Sequence, residues 1–199
     1  MKLRRHPDRL RLTGSETGST TVEFAFLAPI FFTMLIGIWD VGQMIYANAV
    51  LRGVVETAAR NTTLETGDTT VADTLVSDSI SPVLPGAVTV TSRLSYNDFT
   101  DIGKPEPFND SNHNGVCDNS EAYTDQNGNG HWDADVGKSG NGGASDVIVY
   151  TVNVDYTPIF KIPFAPDMWN SRRISAVAVR KNQPYSTQSN YGTEARTCT

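Results

Sequence analysis

The sequence predicts an α+β protein in which a long N-terminal helix precedes a small antiparallel sheet domain with a loop insertion. Three features favour this fold: an unbroken apolar segment at residues 22–39, strand-like alternation later in the chain, and an acidic, Asn- and Gly-rich block between the strands. The length of 199 residues allows one ordinary domain with a smaller appended unit. The formal net charge of −6 argues against nucleic acid as a partner, because nucleic acid selects a clustered basic face.

Shifts in composition divide the chain into consecutive segments. We predict a basic leader at 1–18, a long helix at 19–62 with its transmembrane half at about 22–45, an α+β domain at 63–100 and 146–181, an acidic insertion at 101–145, and a flexible tail at 182–199. Strands are expected where apolar and polar residues alternate, at 87–96, 146–157 and 174–180, and a short helix is expected at 71–79.

The apolar segment at residues 22–39 contains a single ionisable residue, Glu23. Its length is at the lower end of what spans a hydrocarbon core of about 30 Å. Because the basic residues lie before it, the positive-inside rule places residues 1–18 in the cytoplasm and the rest of the chain outside the inner membrane. A secretory signal peptide would have a shorter apolar core and a small-residue cleavage site, which residues 38–41 do not offer. A plain signal anchor leaves the intramembrane carboxylate unexplained.

The spacing of Gly18 and Glu23 explains that carboxylate. A glycine followed five residues later by a glutamate, between a basic leader and an apolar helix, resembles a prepilin cleavage site. The wider sequence at 23–29, 37–42 and 56–60 resembles the TadE family of tight-adherence (Tad) pilus proteins.

This resemblance implies a minor pilin or pseudopilin. A prepilin peptidase would cut after Gly18, which leaves Ser19 as the new N-terminus and Glu23 as the fifth mature residue. The implied partners are this peptidase, the other Tad pilus subunits, the inner-membrane assembly platform and the lipid bilayer. The implied location is a single-pass inner-membrane protein with a periplasmic C-terminal domain that enters an extracellular pilus.

The acidic insertion contains an internal repeat, in which residues 106–120 align with 121–135 at an offset of 15 residues. Each unit resembles a calcium loop of the EF-hand or dockerin type. In the first loop the expected oxygen ligands are Asp110, Asn112, Asn114, the Val116 carbonyl, Asp118 and, at position 12, Glu121. In the second loop they are Asp125, Asn127, Asn129, the His131 carbonyl and Asp133.

Position 12 of the second loop is Val136, which has no oxygen to offer, and a shift of one residue would let Asp135 substitute for it. Glu121→Gln is therefore expected to weaken the first site, and Val136→Glu to strengthen the second. Oxygen ligands favour calcium over zinc. A solvated, disordered acidic loop is the alternative structure for this segment.

The sequence favours a structural, non-enzymatic role. It contains no Ser/His/Asp or Cys/His arrangement with motif spacing and no phosphate-binding glycine loop. The alternative function is an unprocessed, membrane-anchored extracytoplasmic protein whose insertion binds a surface partner in adhesion. The two cysteines, Cys117 and Cys198, are too few for a disulfide scaffold, although they could pair outside the cytoplasm.

Overall fold

A computed structural model describes residues 17–64, 68–118, 120–160, 170–184 and 191–198. The chain forms two compact units, Met1–Gly42 and Gln43–Thr199. We call them the N-terminal unit and the C-terminal unit. Of the predicted leader at 1–18, all but the last two positions lie outside the described residues.

The predicted long helix is confirmed as α1, Thr17–Thr62. Its large apolar side chains in the N-terminal unit are exposed, and Phe24, Phe26 and Ile30 each leave more than half of their surface uncovered. Such a continuous apolar surface is typical of a segment that lies in lipid or against other helices. Among the described residues, one helix is long and apolar enough to cross a membrane, and it is this one.

The C-terminal unit contains the predicted antiparallel sheet. Its elements after α1 are α2 (Thr69–Ile80), β1 (Val88–Tyr96), a 3₁₀ turn (Phe99–Asp101), β2 (Ala122–Asp125), β3 (Lys138–Ser139), β4 (Val147–Tyr156), β5 (Arg172–Lys181) and β6 (Glu194–Thr197). The four-stranded sheet has the order β3-β1-β4-β5, and all three pairings are antiparallel. The short helix expected at 71–79 is present as α2.

One face of this sheet forms the core. Alternate residues of the central strand β4, including Tyr150, Val152 and Val154, are buried in a cluster with residues from both helices. Leu51 of α1 and Val76 of α2 belong to the same cluster and are fully buried. Residues of α1 from Ala47 onward are therefore part of the domain core, and a fragment that starts after the helix would lose them.

The end of the chain differs from the predicted flexible tail at 182–199. Within that range, β6 pairs antiparallel with β2 of the insertion, and Cys198 forms a disulfide with Cys117. The Cα atoms of the two cysteines are 5.8 Å apart. Polar composition suggested mobility, but the disulfide to Cys117 and the backbone pairing with β2 fix residues 194–198.

Candidate functional site

The residues of the expected cleavage site lie at the start of α1. Gly18 and Ser19 fall in its first turn, since the helix begins at Thr17. Glu23 is exposed one turn further along, between the exposed apolar side chains of Val22 and Phe24. The helix therefore presents a carboxylate on an otherwise apolar surface.

The first loop of the insertion is folded around the carboxylate of Asp110, the expected position-1 ligand. Its Oδ1 accepts a hydrogen bond from Asn114 N at 3.1 Å, and its Oδ2 accepts one from Gly115 N at 2.9 Å. Gly115 has φ +78°, a left-handed conformation that glycine adopts without strain. This is the sharp turn that the EF-hand pattern assigns to position 6.

The side chains expected at positions 3, 5 and 9 converge in this loop. The side-chain amides of Asn112 and Asn114 both donate to the same oxygen of Asp118, at 2.8 and 2.7 Å. Glu121 closes the loop, because its Oε1 accepts from Ser111 N at 2.8 Å and its Oε2 from Asp118 N at 3.0 Å. Asn112, Asn114 and Glu121 of the first loop thus all contact Asp118.

The second loop repeats the arrangement of the first. Asp125 accepts from Asn129 N at 3.1 Å and from Gly130 N at 2.9 Å. The amides of Asn127 and Asn129 both donate to Asp133, at 2.7 and 2.5 Å. Left-handed residues occupy positions 4 and 6 of both loops: His113 (φ 61°), Gly115 (φ 78°), Gly128 (φ 76°) and Gly130 (φ 86°).

Neither Val136 nor Asp135 completes the second loop. Val136 is buried in an apolar cluster with Tyr96 and Val147. Asp135 accepts a hydrogen bond from the Tyr96 hydroxyl at 3.0 Å and another from Gly137 N at 3.0 Å. Burial and this bond to Asp135 raise the pKa of Tyr96 to about 12. Asp135 thus has hydrogen-bond partners outside the second loop, and its substitution at position 12 stays a prediction.

Glu106, which precedes the first loop, takes the place that position 12 would occupy in the second loop. Its Oε1 accepts from Gln126 N at 2.7 Å, and its Oε2 accepts from Asp133 N at 3.3 Å. The residue is fully buried. Counting positions along the second loop does not identify Glu106, because this residue lies before the first loop. The internal repeat could have identified it, since Glu106 aligns with Glu121.

The chain end adds a positive charge to the second loop. The guanidinium Nε of Arg196, on β6, lies 2.9 Å from Asp125 Oδ2. Asp125 is almost fully buried, whereas the Arg196 side chain is 43% exposed. A cation fixed beside the position-1 carboxylate lowers the attraction of that loop for a divalent ion.

The two loops are built from carboxylate and carboxamide side chains, whose oxygens suit calcium. The asparagine Oδ1 atoms accept backbone N–H groups, and the asparagine amide nitrogens are the atoms that approach Asp118 and Asp133. Across the ranges that the structure describes, no group of three or more His, Cys, Asp or Glu side chains is arranged to hold a metal ion. Asparagines supply two of the expected ligands in each loop, and both oxygens of each closing glutamate accept backbone N–H groups.

Part of α1 matches a known protein family. Residues 18–60 match the family model described as TadE-like protein. No curated protein and no solved structure matched. The match confirms the TadE-like resemblance of the first helix, and it links the chain to the Tad pilus system and to association with other components of that system. The acidic insertion lies outside the matched segment.

Proposed function

We propose that this protein is a non-enzymatic minor pilin or pseudopilin of the Tad pilus system, processed by a prepilin peptidase and stabilised by calcium outside the cytoplasm. The TadE-like match over residues 18–60 carries this proposal. The exposed apolar surface of α1 supports it, because that surface needs either lipid or neighbouring helices to cover it. The N-terminus lies in the cytoplasm and the C-terminal unit in the periplasm before incorporation into a pilus.

The position of Gly18 at the start of the family match supports processing after this residue. Co-expression with the prepilin peptidase should remove residues 1–18 and leave Ser19 first. Gly18→Arg should abolish this shortening, because a bulky charged residue does not fit at the scissile bond. Mass spectrometry of the purified chain measures both results. Cleavage at another bond, or full-length product from the unaltered chain, would contradict the proposal.

Glu23 gives the helix a role in assembly. In a low-dielectric environment a carboxylate is stable when it is paired, and the new amine of Ser19 in an adjacent subunit is a partner of the right charge. Glu23→Ala should still insert and be cleaved, yet fail to co-purify with the other pilus subunits. Asp78→Ala is the matched control, since it removes an exposed carboxylate from α2, outside the TadE-like segment. Normal assembly of the Glu23 variant would refute this role.

Calcium stabilises the insertion in this proposal. The residues that would hold it in the first loop are Asp110, Asn112, Asn114, Val116, Asp118 and Glu121. The sharp turn at Gly115 and the return of the Glu121 carboxylate to the start of the loop support this ligand set. Bound calcium would offset the repulsion among carboxylates that otherwise favours an open loop. An extracytoplasmic site functions with a Kd of about 10⁻⁴–10⁻³ M.

Calorimetry on the full chain in detergent micelles tests calcium binding. The full chain is required because α1 contributes Leu51 and its neighbours to the core. We expect heat of binding at millimolar calcium and slower proteolysis of residues 101–145. Glu121→Gln should weaken the first site, and Asp78→Asn, which removes an exposed carboxylate from α2, should not. If calcium changes neither heat nor proteolysis, the insertion is not a calcium-binding segment.

A further inference from the structure

Each loop of the insertion is closed by a glutamate that belongs to the other repeat. Glu121 belongs to the second repeat but closes the first loop, and Glu106 belongs to the first repeat but closes the second loop. We propose that Glu106 is the missing twelfth-position ligand of the second loop, so that the two loops form one reciprocal calcium-binding unit. This inference rests on the calcium-binding role proposed above.

The hydrogen-bond positions of the two glutamates are equivalent. In the first loop, Glu121 accepts from the N–H groups of positions 2 and 9, which are Ser111 and Asp118, at 2.8 and 3.0 Å. In the second loop, Glu106 accepts from the N–H groups of the same two positions, Gln126 and Asp133, at 2.7 and 3.3 Å, and additionally from Asn127 N at 3.2 Å. Glu106 therefore lies where the first loop has its bidentate carboxylate, although it reaches that place from the opposite direction along the chain.

The backbone of Glu106 is fixed by the second loop as well. Its N–H donates to Asp133 O at 3.0 Å, and its carbonyl accepts from Trp132 Nε1 at 3.0 Å. The Trp132 ring packs edge-on against Phe108, with ring centroids 5.1 Å apart. With backbone and side chain both held, Glu106 is preorganised as a ligand for the second loop.

A short antiparallel pairing joins the segments that follow the two glutamates. Phe108 and Tyr123 form a β-bridge. Asn109 N donates to Ala122 O at 2.8 Å, and Thr124 N donates to Pro107 O at 2.9 Å. Any displacement of one glutamate segment therefore displaces the other. Ordering the first loop should fix Glu121, then Tyr123 and its pairing with Phe108, and through that pairing Glu106.

This connection makes calcium binding at the two loops cooperative. By thermodynamic linkage, each occupied loop raises the affinity of the other by the same factor. Substitution of either glutamate should therefore have two effects on calcium affinity. The loss should be large in the loop that the glutamate closes and smaller in the loop of its own repeat. A glutamate that only stabilised the backbone of its own repeat would not lower calcium affinity most strongly in the other loop.

Two glycine amides report on the loops separately. Gly115 N and Gly130 N each donate to the position-1 carboxylate of their own loop at 2.9 Å. We would label the full chain with ¹⁵N-glycine, place it in detergent micelles, and follow both resonances during a calcium titration. Gly86, between α2 and β1, reports whether the rest of the C-terminal unit remains folded.

Glu106→Gln should weaken calcium binding at the Gly130 reporter by about tenfold or more and at the Gly115 reporter by a smaller factor. Glu121→Gln should show the reverse order. Asp78→Asn should change neither midpoint. If Glu106→Gln shifts the Gly86 resonance, Glu106→Asp replaces it, because it keeps the charge but is one methylene too short to reach both N–H groups.

The outcomes separate this inference from the calcium proposal itself. If the unaltered chain shows no calcium shift at either glycine, the calcium proposal fails. Amide exchange of Gln126 and Asp133, followed in a uniformly ¹⁵N-labelled chain in calcium-free buffer, then tests whether Glu106 closes the second loop. Faster exchange in Glu106→Gln supports this closure, and unchanged exchange refutes it. If the unaltered chain binds calcium but Glu106→Gln leaves the Gly130 midpoint unchanged, the inference is overturned and the calcium proposal stands.

Discussion

The disulfide between Cys117 and Cys198 should contribute much of the stability of the C-terminal unit. The bond closes a chain segment with a sequence separation of 81 residues, which includes the second loop and strands β2 to β6. The loop-entropy relation gives about 4.5 kcal/mol at 25 °C for a closed segment of this length, as an upper estimate. Replacing both cysteines, Cys117→Ser with Cys198→Ser, should lower the free energy of unfolding by a comparable amount.

The bond is needed because the pairing that it supports is short. The four side chains of β6 are all exposed, and two-stranded pairings of this length are marginal in water. Urea unfolding of the full chain in detergent, followed by tryptophan fluorescence, measures the loss. Dithiothreitol should lower the midpoint of the unaltered chain to that of the double variant and leave the variant unchanged. A difference below about 1 kcal/mol between the two proteins would refute this reasoning.

Three further predictions follow from side chains of the C-terminal unit. Val136→Glu should destabilise the fold by about 3 kcal/mol in urea unfolding, because it buries an unpaired carboxylate among apolar side chains instead of completing a calcium site. Arg196→Gln should strengthen calcium binding at the Gly130 amide in the titration described above, since it removes a cation that lies 2.9 Å from Asp125. Burial opposes ionisation of Asp73, but hydrogen bonds from Arg93 and Tyr150 outweigh it and lower the pKa of Asp73 below the ordinary 3.8. The ionised Asp73 therefore stabilises the fold fully above pH 3.8, and this contribution to the free energy of unfolding is lost as the pH falls through the lowered pKa. Asp73→Asn should therefore flatten the acid side of the stability–pH curve, and an unchanged curve would contradict the role of this carboxylate.

The main elements of the fold could be predicted because each carries its own periodic pattern. The apolar segment around Phe26 predicted α1, and the alternation through Val152 and Val154 predicted β4. The strands β3 and β6 could not be predicted in this way, because they are two and four residues long and entirely exposed. Tertiary pairing and the disulfide determine their structure rather than local propensity.

The candidate loops show the same limit. Within one loop, the turn at Gly115 follows from local spacing, and counting along the sequence predicted it, as it also gave the expected ligand positions. Counting also assigned position 12 of the second loop to Val136, which the structure buries in an apolar cluster. Glu106 completes that loop through the pairing of Phe108 with Tyr123, and a contact of this kind between repeats has no fixed spacing in the sequence.

The N-terminal sequence of the protein purified from its native membranes tests the proposed function most directly. The proposal predicts Ser19 as the first residue, because the peptidase removes the leader after Gly18 at the start of the TadE-like segment. An intact Met1 in native membranes would contradict processing, and it would favour instead a membrane-anchored extracytoplasmic binding protein that is not assembled as a pilin.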